Sequence, residues 1–135
     1  MKTMHFTSVK SPEQVFKCLS SADEFAKVHP VIYKIEPMGN GEYKVYERLK
    51  MLFIPYSFTY TTTIEPNAAN KVVVMNATVK KKTNIHLTIK ITPSEKGSKI
   101  TEELVFTSNL PIKRMFHRLF EKQHKKLYAN IDKSQ

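Results

Sequence analysis

The chain has 135 residues, 41% hydrophobic and 25% charged, an ordinary globular balance at the length of one domain (1–135), which excludes wholesale disorder and a collagen-like chain. Its single cysteine excludes a disulfide framework and a cysteine-rich zinc site, and no apolar run approaches the ~20 residues of a spanning helix. The charge is uneven: residues 1–70 hold 8 basic and 7 acidic residues, residues 71–135 hold 14 and 5, so nearly all of the net +10 lies in the second half.

Residues 3–9 read as a short strand. Ser11-Pro12-Glu13 then starts a helix, with Ser11 as cap, Pro12 at the first helical position and Glu13 at the positive end of the dipole. Val15, Phe16 and Leu19 share its apolar face. Ser21-Ala22-Asp23-Glu24 opens a second short helix carrying Phe25 and Val28, which Pro30 ends. From residue 31 the period changes from 3.6 to 2. Residues 31–38 and 43–51 form a hairpin around Gly39-Asn40-Gly41, and strands follow over 54–65, 71–81, 84–92 and 99–108. Links this short require an antiparallel meander. The helical period returns after Leu110-Pro111: Ile112, Met115, Phe116, Leu119, Phe120, Gln123, Leu127 and Ile131 form one stripe on a helix of roughly 30 Å, long enough to cross the sheet.

The predicted fold is therefore α+β: one strand, two short helices, a six-strand meander and a long C-terminal helix, with a seven-stranded curved sheet wrapped on that helix. This order resembles the helix-grip fold of the START-like (SRPBCC) superfamily, which includes birch-pollen allergens, lipid-transfer domains and polyketide cyclases. The local carriers are Ser11-Pro12-Glu13-Gln14-Val15-Phe16, the segment from Phe25 to Pro30, Tyr33-Lys34-Ile35-Glu36 and the Gly39-Asn40-Gly41 turn. The resemblance implies an apolar cavity between sheet and helix. Tyr43, Val45, Tyr56, Phe58, Tyr60, Met75, Ile85, Leu87, Leu104 and Phe106 would line it from the sheet, and Met115, Phe116, Leu119 and Phe120 from the helix. The same residue types also pack filled cores, so both outcomes stand.

Glu47 and Glu102 alternate in phase with apolar neighbours and would have to be paired, protonated or wet if they face inward. One reading makes them ligand contacts or a general base; the other leaves them at the rim or paired with a base such as Arg48 or Lys99. Three functions follow: binding of a lipid, fatty acid or polyketide-like molecule, a cyclase/dehydratase reaction using an inward glutamate as general base, or a nucleic-acid or partner-protein surface on the basic helix. His117, Glu121 and His124 at i, i+4 and i+7 could touch a metal, but they lack the HExxH spacing on a basic face and read as solvated. Cys18, His29 and His86 read as packing or surface residues, Asn76-Ala77-Thr78 as a chance sequon, and three glycines cannot build a nucleotide loop; no metal or cofactor is expected. Lys80-Lys81-Lys82 and the helix residues Lys113, Arg114, Arg118, Lys122, Lys125 and Lys126 supply the basic surface. It could meet an anionic membrane or an anionic ligand head, or simply keep the protein soluble. Nucleic acid is disfavoured because the aromatics are spent on the inner face. The first residues carry no long apolar stretch, so the expected location is the cytoplasm.

Overall fold

The structure, a computed structural model, describes residues 1–51, 54–79 and 83–134, with the backbone alone for 49–51 and 54–56. Lys80-Lys81-Lys82 and the side chain of Tyr56 lie outside the described residues. The elements are β1 (Lys2–Ser8), α1 (Pro12–Ser20), α2 (Ala22–Val28), β2 (Ile32–Gly39), β3 (Glu42–Met51), β4 (Ile54–Asn67), β5 (Val72–Val79), β6 (Thr83–Ser94), β7 (Gly97–Thr107) and α3 (Lys113–Lys133).

All seven strands form one antiparallel sheet in the order β1-β7-β6-β5-β4-β3-β2. β1 pairs with the last strand, so the meander folds back on the chain's own start, and α1 and α2 carry the chain from one sheet edge to the other. Local chemistry sets the boundaries. Ser11 and Gln14 form a reciprocal capping box at α1, and Ser21 Oγ accepts from the Glu24 N–H at α2. Gly39, Asn40 and Gly41 all have positive φ, which the tight β2–β3 turn requires.

α3 begins at Lys113 rather than at Leu110-Pro111. The Leu110 N–H donates to Ser108 Oγ and the Ile112 N–H to the Leu110 carbonyl, so residues 108–112 turn off β7 before the helix starts.

The space under α3 divides in two. Its C-terminal half packs down hard: Leu127, Tyr128 and Ile131 are buried with Met4, Val15, Leu19, Ile89, Ile100 and Leu104. Polar ties hold it there, since Asp132 Oδ1 accepts from Ser8 Oγ and the Val9 N–H, and Asn130 donates to the Val28 carbonyl. Its N-terminal half rides above the sheet on Phe116 and Phe120, which are only partly buried. The filled core and the cavity therefore coexist, one under each half of the helix.

A candidate ligand cavity between sheet and helix

Under the N-terminal half of α3 lies a cavity of about 340 Å³. β3 contributes Val45 and Glu47, β4 Phe58, Tyr60, Thr62 and Ile64, β5 Met75 and Ala77, β6 Ile85 and Leu87, and β7 Phe106. These are the inward positions of register-matched pairs: Val45 faces Tyr60, Glu47 faces Phe58, Met75 faces Leu87 and Ile85 faces Phe106. From α3 come Phe116, Phe120, Gln123 and His124, and from the segments before β2 and α3 come His29, Leu110 and Ile112.

Of the sequence-predicted lining, Val45, Glu47, Phe58, Tyr60, Met75, Ile85, Leu87, Phe106, Phe116 and Phe120 stand at this cavity. Five others do not. Leu104 and Glu102 sit further along β7, under the half of α3 that packs directly on the sheet. Tyr43 packs against the core near the β2–β3 turn. Met115 and Leu119 each precede an inward phenylalanine by one residue, which rotates them about 100° away at 3.6 residues per turn; Met115 is 50% exposed.

The cavity is mostly apolar, and its titratable groups are Glu47, Tyr60, His29 and His124. Glu47 accepts a hydrogen bond from Tyr60 Oη. Burial pushes the Glu47 carboxyl above its usual range, opposed in part by the Tyr60 hydroxyl and by His124; burial and Glu47 together raise the Tyr60 phenol well above its own. The N–H groups of Val31 and Ile32 both donate to His29 Nδ1 at 3.2 Å, so the remaining ring proton sits on Nε2. Burial, aided by His124, lowers the His29 pKa to about 3. His124 is 3% exposed and lies 2.8 Å from Glu102 Oε2, which also accepts from Tyr128 Oη at 2.5 Å. An aromatic wall runs through Phe106, Phe116, Phe120, His124 and His29, the first pair and the third pair stacked at centroid distances of 4.1 and 4.0 Å.

A carboxylate with a raised pKa lends stability below its unfolded value, and that contribution is lost as pH rises. Glu47→Gln keeps an acceptor for Tyr60 without the buried charge. It is expected to raise the unfolding midpoint at pH 7, with the gain vanishing near pH 4. Thermal melts at both pH values check this, and a lower midpoint at pH 7 rejects it.

In the sequence His29 is a lone histidine and His124 reads as a solvated helix residue, whereas the structure buries both against the cavity. The signal for His124 is the aromatic series Phe116, Phe120, His124 and Tyr128 at steps of four, a face the stripe through Gln123 and Leu127 obscures. His117, Glu121 and His124 do not converge: Glu121 pairs with Lys2 at 3.8 Å while His124 turns to Glu102. Among the described residues no group of three or more metal-ligating side chains gathers. Arg118, Lys122 and Lys125 line a separate groove between α3, β1 and β7, with Glu121 and Asp132 among them. No helix among the described residues is long and apolar enough to cross a membrane.

Comparison with known proteins adds a family and a fold. The model of the family described as polyketide cyclase / dehydrase and lipid transport matches residues 3–132. A search of curated proteins returned no match. Among solved structures, Ara h 8.0201 superposes with a TM-score of 0.76 at 18% identity, over 97% of this chain and 93% of that one. The di-domain aromatase/cyclase BexL of the BE-7585A biosynthetic pathway gives 0.80 at 11% identity, over 97% of this chain and 46% of the di-domain. The ZhuI aromatase/cyclase of Streptomyces sp. R1128 gives 0.70 at 13% identity, over 96% and 89%. At these identities the likeness is one of fold, the helix-grip fold that the order of elements anticipates.

Proposed function

The chain belongs to the polyketide cyclase / dehydrase and lipid transport family, and we propose that it binds a small amphipathic molecule in the cavity under α3. The apolar body would lie against Met75, Ile85, Leu87, Phe106, Phe116 and Phe120, and the polar end would meet Glu47, His29 and His124. One observation carries this reading: a mostly apolar cavity of about 340 Å³ whose titratable groups are Glu47, Tyr60, His29 and His124. That room suits a ring system or a medium-length acyl chain rather than a whole phospholipid. Burying ~200 Å² of ligand apolar surface is worth about 5 kcal/mol. That alone corresponds to a Kd of roughly 0.2 mM, so micromolar affinity requires the titratable groups as well.

Native mass spectrometry of the purified protein, with solvent extraction of anything carried along, tests the proposal. The expected result is a small-molecule adduct, or a thermal shift with medium-chain alcohols, acids or bicyclic phenols. Ala77→Phe, which drives a ring into the cavity, is expected to remove the adduct or shift while the protein stays folded. A bare mass with no shift across the panel rejects the reading.

One observation also favours a membrane-facing mouth. Leu110 lines the cavity yet is 59% exposed, so the cavity reaches the surface beside Lys113, Arg114 and the exposed Met115. We propose that this edge docks on anionic lipid, with Arg118, Lys122 and Lys125 further along the helix adding attraction of up to about 1 kcal/mol per base. Cosedimentation with phosphatidylserine-containing vesicles should be seen at low salt, decline with added salt and weaken in a Lys113→Glu/Arg114→Glu variant. Equal recovery with neutral vesicles rejects the docking.

A further inference from the structure

The two edges of the sheet are built differently. At one edge β2 carries Pro37, which has no N–H to offer, and its pairing with β3 shifts register twice, between Ile32 and Lys34 and between Pro37 and Gly39. Proline and bulges are the usual guards of an edge strand. β1, at the other edge, has neither: all seven of its residues pair with β7 in unbroken register. Register also fixes which way its backbone points. Ser94 and Gly97 face each other across the two-residue β6–β7 turn, so they are a hydrogen-bonded pair and the ladder alternates from there. Pro93, which lacks an N–H, opposes Ser98 at the next, non-bonded position, as this phase requires. Lys2, Met4, Phe6 and Ser8 therefore bond to β7, while Thr3, His5 and Thr7 turn their N–H and C=O groups outward. Those three residues are exposed, and no strand among the described residues pairs with them on that side. Val9, next in the same phase, shows what the edge accepts: its N–H donates to the Asp132 carboxylate at 3.1 Å.

A groove of about 820 Å³ lies along this edge. It is touched by Phe6 from the concave face of the sheet and by His5, Thr7 and Lys99 from the convex face, so it lies beside β1 rather than over either face. Its far bank is α3, with Arg118, Lys122 and Lys125. Both acidic groups in the groove are engaged, Glu121 with Lys2 at 3.8 Å and Asp132 with Ser8 and Val9. Lys99, Arg118, Lys122 and Lys125 have no carboxylate partner among the described residues. We propose that the free edge of β1 and the basic bank of α3 form a docking groove for an extended acidic peptide segment. The segment would add a strand to the sheet through Thr3, His5 and Thr7 and set carboxylates at every second position against Arg118, Lys122 and Lys125. The spacings agree: Arg118 to Lys122 rises about 6 Å along the helix, and alternate side chains of an extended chain stand about 7 Å apart. A second copy of β1 in the same place would set two such basic banks against each other, so charge favours an acidic partner over self-pairing.

The probe is a fluorescein-labelled peptide of about eight residues in which glutamate alternates with valine, long enough to cover the ~13 Å from Thr3 to Thr7. Fluorescence anisotropy at low salt is expected to show saturable binding that weakens as salt rises. His5→Pro removes one outward N–H without touching the β7 ladder, and is expected to weaken binding about tenfold while the unfolding midpoint stays close to that of the unaltered chain. Lys122→Glu/Lys125→Glu is expected to weaken it by about tenfold or more. The same peptide N-methylated throughout keeps every charge and loses its backbone donors, and is expected not to bind. Should His5→Pro fold poorly, the N-methylated peptide makes the same comparison on the unaltered protein. No binding at low salt, or binding kept by the N-methylated peptide, by a folded His5→Pro or by Lys122→Glu/Lys125→Glu, overturns the proposal. So does displacement by equimolar inorganic tripolyphosphate, which would mark a phosphate site, or a protein dimer that His5→Pro dissociates, which would put a second copy on the edge. Vesicle docking at the cavity mouth is judged separately, because Lys113 and Arg114 lie outside the groove.

Discussion

Glu102→Ala is expected to destabilise the protein by about 4 kcal/mol, because two fully buried donors, His124 Nδ1–H and Tyr128 Oη–H, lose their common acceptor at about 1–3 kcal/mol each. With an unfolding entropy near 2.1 cal/mol/K per residue, that lowers the unfolding midpoint by roughly 14 °C. Glu102→Gln retains a carbonyl oxygen facing the donors and is expected to cost less than half as much. Denaturant titrations of the three proteins read the difference. A Glu102→Ala cost below about 1 kcal/mol would mean that the donors find other partners, and that Glu102 does not hold the His124 ring.

The second large effect is on acid stability. His29 titrates at about 3 when folded against 6.5 when free. Between those values the unfolded chain binds the extra proton, so stability rises with pH and is lost as pH falls. From pH 7 to pH 4 the loss amounts to about 3 kcal/mol. His29→Asn keeps an acceptor for the Val31 and Ile32 N–H groups but cannot take up the proton, and is expected to flatten the slope. Glu47 acts in the opposite direction, since its raised pKa favours the folded state at low pH, and its contribution cancels when wild type and His29→Asn are compared at each pH. Parallel slopes for the two proteins reject the assignment.

The two glutamates show how far the sequence could be read. Glu47 and Glu102 had the same signature, a carboxylate in phase with apolar neighbours, and strand alternation placed both inward. Alternation tells which face a residue is on but not where along the sheet the helix touches down. Glu47 faces open cavity with Tyr60, whereas Glu102 lies where α3 is tied to Ser8 and Val9 through Asp132. The cavity's phenylalanines were legible because they repeat at helical spacing. Met115 and Leu119 shared that stripe and fell away from the cavity, because a stripe defined by steps of three and four is wider than the surface the helix presents to the sheet.

The sequence by itself determined the order of elements, the antiparallel meander, the capped helix starts, the superfamily and the inward face of the strands from β3 to β7. Those follow from periodicity, from residues that tolerate one backbone conformation, and from links too short for any other topology. Only the tertiary structure decided that one half of α3 closes on a solid core while the other spans a cavity. It alone brought His29, Glu47, Tyr60 and His124, from four separate segments, to one cavity. Those placements depend on contacts between residues far apart in the chain, where a histidine's meaning is set by the carboxylate across from it and not by its neighbours in sequence.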